Sequence, residues 1–399
     1  MVGCSQSTES VTLTIENPLN VARTGEIVEV EVEALGIVPA EGEGFVVRDA
    51  EGNIVPSQVT YDGKLIFECN VAPEGSVEYS VECSDLKAKL LSYACGRVYP
   101  ERVDDVAWES DLIAYRAYGP ALQQSGERAF GYDVWVKNNT NLPVVEERYN
   151  KELNPETKAQ IAALRESDPK AADALYASVS YHNDHGNGFD AYKVGPTLGG
   201  GATAILYEDK ILYPYCYKEC EILDNGPLRF TALLTYNPTV VGERELREVR
   251  TLSLDKGSFL NKTTVVYEGE KSEQTINVMA GIVLHEKRVR TTYNNNYLTY
   301  AEVVEAPDGG ELYQALYFPE GWNGAENRLW KPQDEKPAGT FGHAAAYVTL
   351  KAGEPVTYYW GALWNRSTLV DVPTKEAFDG IMADVVARYE APLNVTVNK

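Results

Sequence analysis

The feature that most constrains this chain is a period-two alternation near its start. Val28, Val30 and Val32 are separated by Glu29, Glu31 and Glu33, so one face of the segment is apolar and the other charged. Such a segment fits one half-buried face of an antiparallel sheet and does not suit an amphipathic helix. Val11-Thr12-Leu13-Thr14-Ile15 alternates likewise, and turn signals recur at Asp49-Ala50-Glu51-Gly52-Asn53, Asp62-Gly63 and Pro73-Glu74-Gly75. Short strands punctuated in this way predict a small β-sandwich over residues 11–96.

Residues 97–399 again read mostly as strands, with two interruptions. Pro155 to Ala177 carries Ala, Leu and Ile at helical intervals, and Thr374 to Tyr389 places Phe378, Ile381, Met382 and Val385 on one stripe behind Thr374 as N-cap. Asn394 to Val397 returns as a closing strand. So many strands exceed a simple sandwich and call for two large antiparallel sheets face to face, with a concave face left for a chain-like ligand. The expected fold is mainly β, with two helical insertions. No fixed-period repeat supports a solenoid or propeller.

Composition narrows the function. With 59 acidic and 36 basic side chains the net charge is −23, and no basic run exists to engage a phosphate backbone, so nucleic acid is excluded as an expected partner. No run approaches the ~20 apolar residues of a membrane-spanning helix. The 26 Tyr against 9 Phe fit either Tyr-rich strands or a wet aromatic cleft for a polyhydroxylated ligand. Val2-Gly3-Cys4, followed by Ser5 to Ser10, resembles the end of a bacterial lipoprotein signal with a short tether over residues 1–10. That motif predicts an exported protein, periplasmic or at the cell surface, anchored through Cys4 and touching the membrane only through lipid. Cys69 and Cys83 fall in neighbouring predicted strands and are candidates to pair. Without paired CxxC spacing, structural zinc is not expected, and the default for all five cysteines after Cys4 is a buried small hydrophobe.

Two stretches concentrate the chemistry. The first runs Pro100-Glu101-Arg102-Val103-Asp104-Asp105-Val106-Ala107-Trp108-Glu109-Ser110-Asp111, then Tyr115-Arg116-Ala117-Tyr118-Gly119-Pro120. It reads either as a charged strand with internal ion pairs or as a cleft wall. In the second case Trp108 stacks on a sugar ring and Arg102 or Arg116 grips a carboxylate. Nearby, alternation puts Asp133, Trp135 and Lys137 on one face of a strand. The second stretch, Tyr181 to Gly195, holds two of only four histidines, His182 and His185. Three readings compete: a structural loop, a divalent cation held by His182, Asp184 and His185, or an acid/base pair with His182 or Tyr192 as base and Asp190 as orienter. Gly199-Gly200-Gly201 lacks the context of a phosphate cradle and suits a close backbone approach. Asn225-Gly226 reads as a hairpin turn. Serine-hydrolase and cysteine-protease signatures are missing from the sequence.

The first stretch, with Gly131-Tyr132-Asp133-Val134-Trp135, resembles secreted bacterial proteins of the family known as domain of unknown function 4861, whose members share a PERxDDxAWENDxxAxRxYGPA pattern. Asp190-Ala191-Tyr192-Lys193-Val194-Gly195-Pro196-Thr197-Leu198-Gly199-Gly200-Gly201 and Asp224-Asn225-Gly226-Pro227-Leu228-Arg229 carry the same likeness. Ser110 departs from it where Asn is expected. The resemblance implies a supersandwich like that of galactose mutarotases over residues 97–399 and an association with uronic-acid and pectin breakdown. The resulting expectation is a carbohydrate-active enzyme on a uronate-containing glycan or oligosaccharide. In a lyase, Arg102 or Arg116 would neutralise the carboxylate, His182 or Tyr192 would take the C5 proton, and His185 would protonate the leaving oxygen. In a glycosidase, two of Glu109, Asp133 and Asp190 would face each other. Tyr118, Trp108 and Trp135 join the substrate-binding set. The rival classes are a non-catalytic glycan-binding lipoprotein and a mutarotase-like isomerase.

Overall fold

The computed structural model describes residues 10–86, 91–269, 274–306 and 309–398, so Cys4 and the tether up to residue 9 lie outside the described residues. The alternating amino-terminal segments form two facing antiparallel layers. One contains Ser10–Glu16, Ser76–Ser84, Gly44–Arg48 and Ile54–Val55; the other contains Arg23–Glu31, Lys64–Val71 and Ser57–Val59. Leu13, Ile15, Val47, Leu65, Phe67 and Val81 fill the space between them. Val28 and Val30 face inward as the alternation requires, while Glu29 pairs with Lys64 at 2.9 Å. The alternation ends one step early, because Val32–Leu35 turns into a single helical turn closed by Gly36 at φ 69°. The closing strand Asn394–Asn398 joins this first sheet, pairing Val397 with Leu13, because Leu393, Val395 and Val397 pack on its core. Cys69 is buried in that core and forms no disulfide, so the pairing with Cys83 is not made; burial pushes its thiol up to about 12.

The larger part of the chain is a nine-stranded antiparallel sheet facing two five-stranded ones. Aromatic rings fill the interlayer: Trp108 stacks on Phe230 at 6.0 Å and 9°, and Tyr132 on Trp360 at 4.1 Å and 2°. Gly199-Gly200-Gly201 serves this packing. A Cβ on Gly199 would lie 2.2 Å from the Tyr132 carbonyl oxygen, and one on Gly201 would lie 2.8 Å from Trp360 Cβ.

Trp108 therefore does not stack on a sugar. It is fully buried and donates Nε1–H to Asn261 at 2.7 Å. Trp108→Phe should cost about 2 kcal/mol by opening a void and orphaning the Asn261 carbonyl. Urea melts check this; an unchanged midpoint would contradict a core role.

One five-stranded sheet positions the candidate site. Its order is Gly188–Asp190, Asp133–Lys137, Ile113–Ala117, Asp105–Glu109 and Cys95–Tyr99. Because strand side chains alternate, Val106, Trp108, Tyr115, Val134, Val136 and Phe189 face the main core. Asp105, Glu109, Arg116, Asp133, Trp135 and Asp190 occupy the other face, where the helix Val145–Glu152 sets Val145 and Tyr149 against Ala107, Ala114 and Trp135; Pro155–Ser167 and Pro169–Val179 pack on that helix in turn. The single helix expected over 155–177 is broken at Asp168, whose side chain caps the next helix by accepting from Ala171 N–H at 3.1 Å ahead of Pro169. The carboxy-terminal helix Lys375–Glu390 starts at Thr374 as expected, with Phe378 and Met382 buried.

Candidate functional site

Arg116 organises the covered face. Its Nη2 contacts both Asp133 and Asp190, the latter at 2.9 Å, and its Nε lies 3.8 Å from Asp105. The guanidinium also lies against the rings of Tyr118 and Trp135, at 5.1 and 5.3 Å. All four charged groups are buried, and among the described residues Arg116 and the nearby Arg102 are the arginines that face the three carboxyls. Burial outweighs the attraction of Arg116 and lifts both Asp105 and Asp133 to about 7, and it raises Asp190 as well.

The backbone delivers these groups through a strained corner. Pro100–Arg102 forms one 3-10 turn with proline near its start, then Val103 and Asp104 both adopt left-handed conformations at φ 46° and 61°. A β-branched residue there is costly, and the turn is locked from outside: a Cβ on Gly119 would fall 1.8 Å from the Asp104 carbonyl oxygen. The corner leaves Arg102 partly exposed and drops Asp105 into the interior.

The two chemistry-rich stretches meet at this point. Arg102 donates Nε–H to the Tyr181 hydroxyl at 3.0 Å, and its Nη groups make no hydrogen bond among the described residues, their nearest acid being Asp105 at 3.9 Å. The Tyr181 ring stacks on Trp135 at 4.9 Å and touches the His182 ring at 4.4 Å. His182 Nδ1 lies 3.4 Å from Asp190, while its side chain is 52% exposed. Burial of part of the ring, reinforced by Arg116, lowers its pKa, which keeps it neutral at pH 7. The open ground of the site is thus Arg102 and His182, standing over a buried acid–arginine cluster.

Several expected contacts are not available to a substrate. Arg116 is buried and engaged by Asp133 and Asp190 through Nη2, and Asp133, Trp135, Tyr118 and Asp190 are themselves buried. Glu109 pairs with Lys137 at 2.9 Å and accepts from the Val144 and Val145 N–H groups, anchoring the start of the first covering helix. His185 turns its Nε2 to the Ser180 carbonyl at 2.8 Å. Asp184 accepts from Gly186 and Gly188 N–H, and among the described residues no three His, Cys, Asp or Glu side chains are placed to share a metal ion. Tyr192 is buried against His285, a group the sequence did not connect with it. A cavity of about 470 Å³ opens elsewhere, between the Arg23–Glu31 strand and the Lys375–Glu390 helix; its wall residue Arg229 is already held by Glu29 at 2.7 Å and Asp255 at 2.6 Å.

The family described as Domain of unknown function (DUF4861) matches residues 15–395, which include every element of this site. The chain belongs to that family. A similar protein is Uncharacterized protein P7 of Formosa agariphila, 24% identical over 412 residues, spanning 98% of this chain and 94% of that protein. Among solved structures, a protein in the Glycosyl Hydrolase Family 38 from Enterococcus faecalis superposes with a TM-score of 0.50 at 10% identity, over 98% of this chain and 47% of that one. The DUF4861 chain spans about half the length of that structure, and the likeness is one of fold.

Proposed function

We propose that this protein acts on an acidic, uronate-containing glycan or oligosaccharide by β-elimination at the Arg102–His182 mouth, exported and tethered through Cys4. The observation that carries the reading is the pairing of a half-exposed, neutral His182 with Asp190, beside an Arg102 whose Nη groups make no hydrogen bond among the described residues. Arg102 takes the uronate carboxylate as a forked donor and acidifies C5–H. His182 Nε2 removes that proton, with Nδ1 oriented towards Asp190. The C5–H electron pair becomes a C4=C5 double bond as the C4–O bond breaks, and the leaving oxygen takes a proton from water at the open mouth. Hydrolysis by paired carboxylates is less favoured, because Asp133 and Asp190 share one guanidinium nitrogen and are buried. The glycosidase name of the structural neighbour is compatible with a glycan substrate but does not supply the reaction.

The test is incubation with pectic and glucuronate-rich glycans, following ultraviolet absorbance of the unsaturated product and, separately, reducing ends. His182→Ala should lower turnover roughly 100-fold or more with an unchanged melting temperature. Arg102→Ala should raise KM. Near-normal turnover in His182→Ala removes it from the mechanism; reducing ends without absorbance would mean hydrolysis, and saturable binding without product would mean a binding module.

A further inference from the structure

The cavity of about 470 Å³ lies at the seam between the amino-terminal sandwich and the nine-stranded sheet. Its floor is the sheet face turned away from the main core. Register fixes that floor: Lys262 stands opposite Ser253 on one neighbouring strand and Tyr359 on the other, so the three side chains share a face. One step along the strand in either direction, Asn261 and Thr263 point into the core, where they accept from the Trp108 and Trp360 indoles. The carboxy-terminal helix supplies one wall through Arg388 and Tyr389, and the Arg23–Glu31 strand supplies the other through Glu26 and Glu29.

Room here comes with groups left to bind. Tyr389 is 40% exposed and lies against Tyr359, with ring centroids 4.3 Å apart. The buried Tyr317 ring braces both, at 5.6 and 5.7 Å. Lys262 is exposed, and among the described residues its ammonium makes no hydrogen bond or ion pair. Arg388 lies 3.8 Å from Glu26, beyond hydrogen-bond reach, while Glu26 is taken by Arg23. The remaining charges are engaged: Arg229 by Glu29 and Asp255, and Lys256 by Glu68.

That distribution of charge selects a ligand. In a chain of net charge −23 the cavity is lined by four basic and three acidic side chains, and Lys262 is the base without an acid. A purely apolar ligand would strip water from Lys262 and from the ion pairs and give nothing back. A polyanion would meet the carboxylates of Glu26, Glu29 and Asp255 at close range. A compact polyhydroxylated molecule with one anionic group meets neither objection. Its anion sits on the ammonium, its hydroxyls donate and accept among the ion pairs, and the apolar face of its ring packs on the open Tyr389.

We propose that this seam binds an acidic saccharide, with its carboxylate on Lys262 and its ring against Tyr389. The site shares no residue with the Arg102–His182 mouth and stands without the elimination reading. The experiment uses the full chain carrying Arg102→Ala, which removes the carboxylate contact of the mouth. It is titrated calorimetrically with glucuronate and galacturonate, with glucose and galactose as neutral counterparts, and with sulfate as a bare anion. At least one uronate should bind roughly tenfold more tightly than its neutral counterpart and than sulfate. Adding Lys262→Met should remove that preference and leave the melting temperature of the free protein unchanged, since the ammonium has no partner there. Lys262→Arg should keep the preference, and Tyr389→Ala should weaken uronate binding roughly tenfold. Sulfate binding as tight as uronate, an undiminished preference in Lys262→Met, or undiminished binding in Tyr389→Ala overturns the assignment. Uronate binding that is present in the parent chain and lost in Arg102→Ala also overturns it and places the sugar at the mouth, so the two proposals fail separately.

Discussion

Arg116→Leu should destabilise the protein by about 3–5 kcal/mol at pH 7, the range seen when one partner of a buried ion pair is removed. The physical cause is not the loss of a favourable contact alone. Among the described residues Arg116 is the Lys or Arg in direct contact with Asp133 and Asp190, and its removal leaves three carboxyls facing each other under a lid of Tyr149, Tyr181 and Trp135. The carboxyls can escape only by taking up protons, so the deficit should shrink as the pH falls towards 5. Arg116→Lys keeps the charge but not the planar fork that reaches both acids and lies on Tyr118 and Trp135, and should fall between the two. Chemical denaturation of the three proteins at pH 5 and pH 8 measures this. If Arg116→Leu matches the parent chain at pH 8, the cluster does not stabilise the fold as argued.

Strand period made much of this face legible in advance. Asp133, Trp135 and Lys137 fall on one side of their strand because they are two residues apart, and they do line one face. The same rule forbids Trp108 and Glu109 from sharing a cleft, since neighbours in a strand point oppositely, and the structure separates them into core and covered face. What the pattern did not contain was which face the helices would cover. Pro155 to Ala177 reads as a helical insertion, and Val145–Glu152, the helix that lies on this face, is not read at all; an insertion does not announce the sheet it will lie on. Covering the charged face converted expected substrate contacts into buried partners of Arg116. Asp168-Pro169 was a readable break, because the residue before proline leaves the helical region. His285, against which Tyr192 packs, offered only the scarcity of histidine as a signal.

The pH dependence of stability separates two accounts of the cluster that make opposite predictions. If attraction to Arg116 dominated, Asp133 would be held below its ordinary value of 3.8, and stability would be lost as the pH fell through that lowered value. Burial dominates instead, and Asp133 and Asp105 rise to about 7. Between about 4 and 7 the folded state then holds protons that the unfolded chain has released. Their contribution is fully present below the unfolded value and is lost as the pH rises through 7. For one carboxyl moved from 3.8 to about 7 the full change is roughly 4 kcal/mol at most. Below 6.5 a second group works against this trend, because His343 is buried neutral and depressed to about 3, so folding excludes a proton that the unfolded chain accepts. A comparison with Asp133→Asn cancels that background. Asparagine imitates the protonated acid, so the variant should gain stability relative to the parent as the pH rises from 5 to 8, with its melting temperature flatter over that interval. A parent chain that instead gains on Asp133→Asn with rising pH would show an ordinary ion pair at Arg116, with Asp133 charged at every pH where the protein folds.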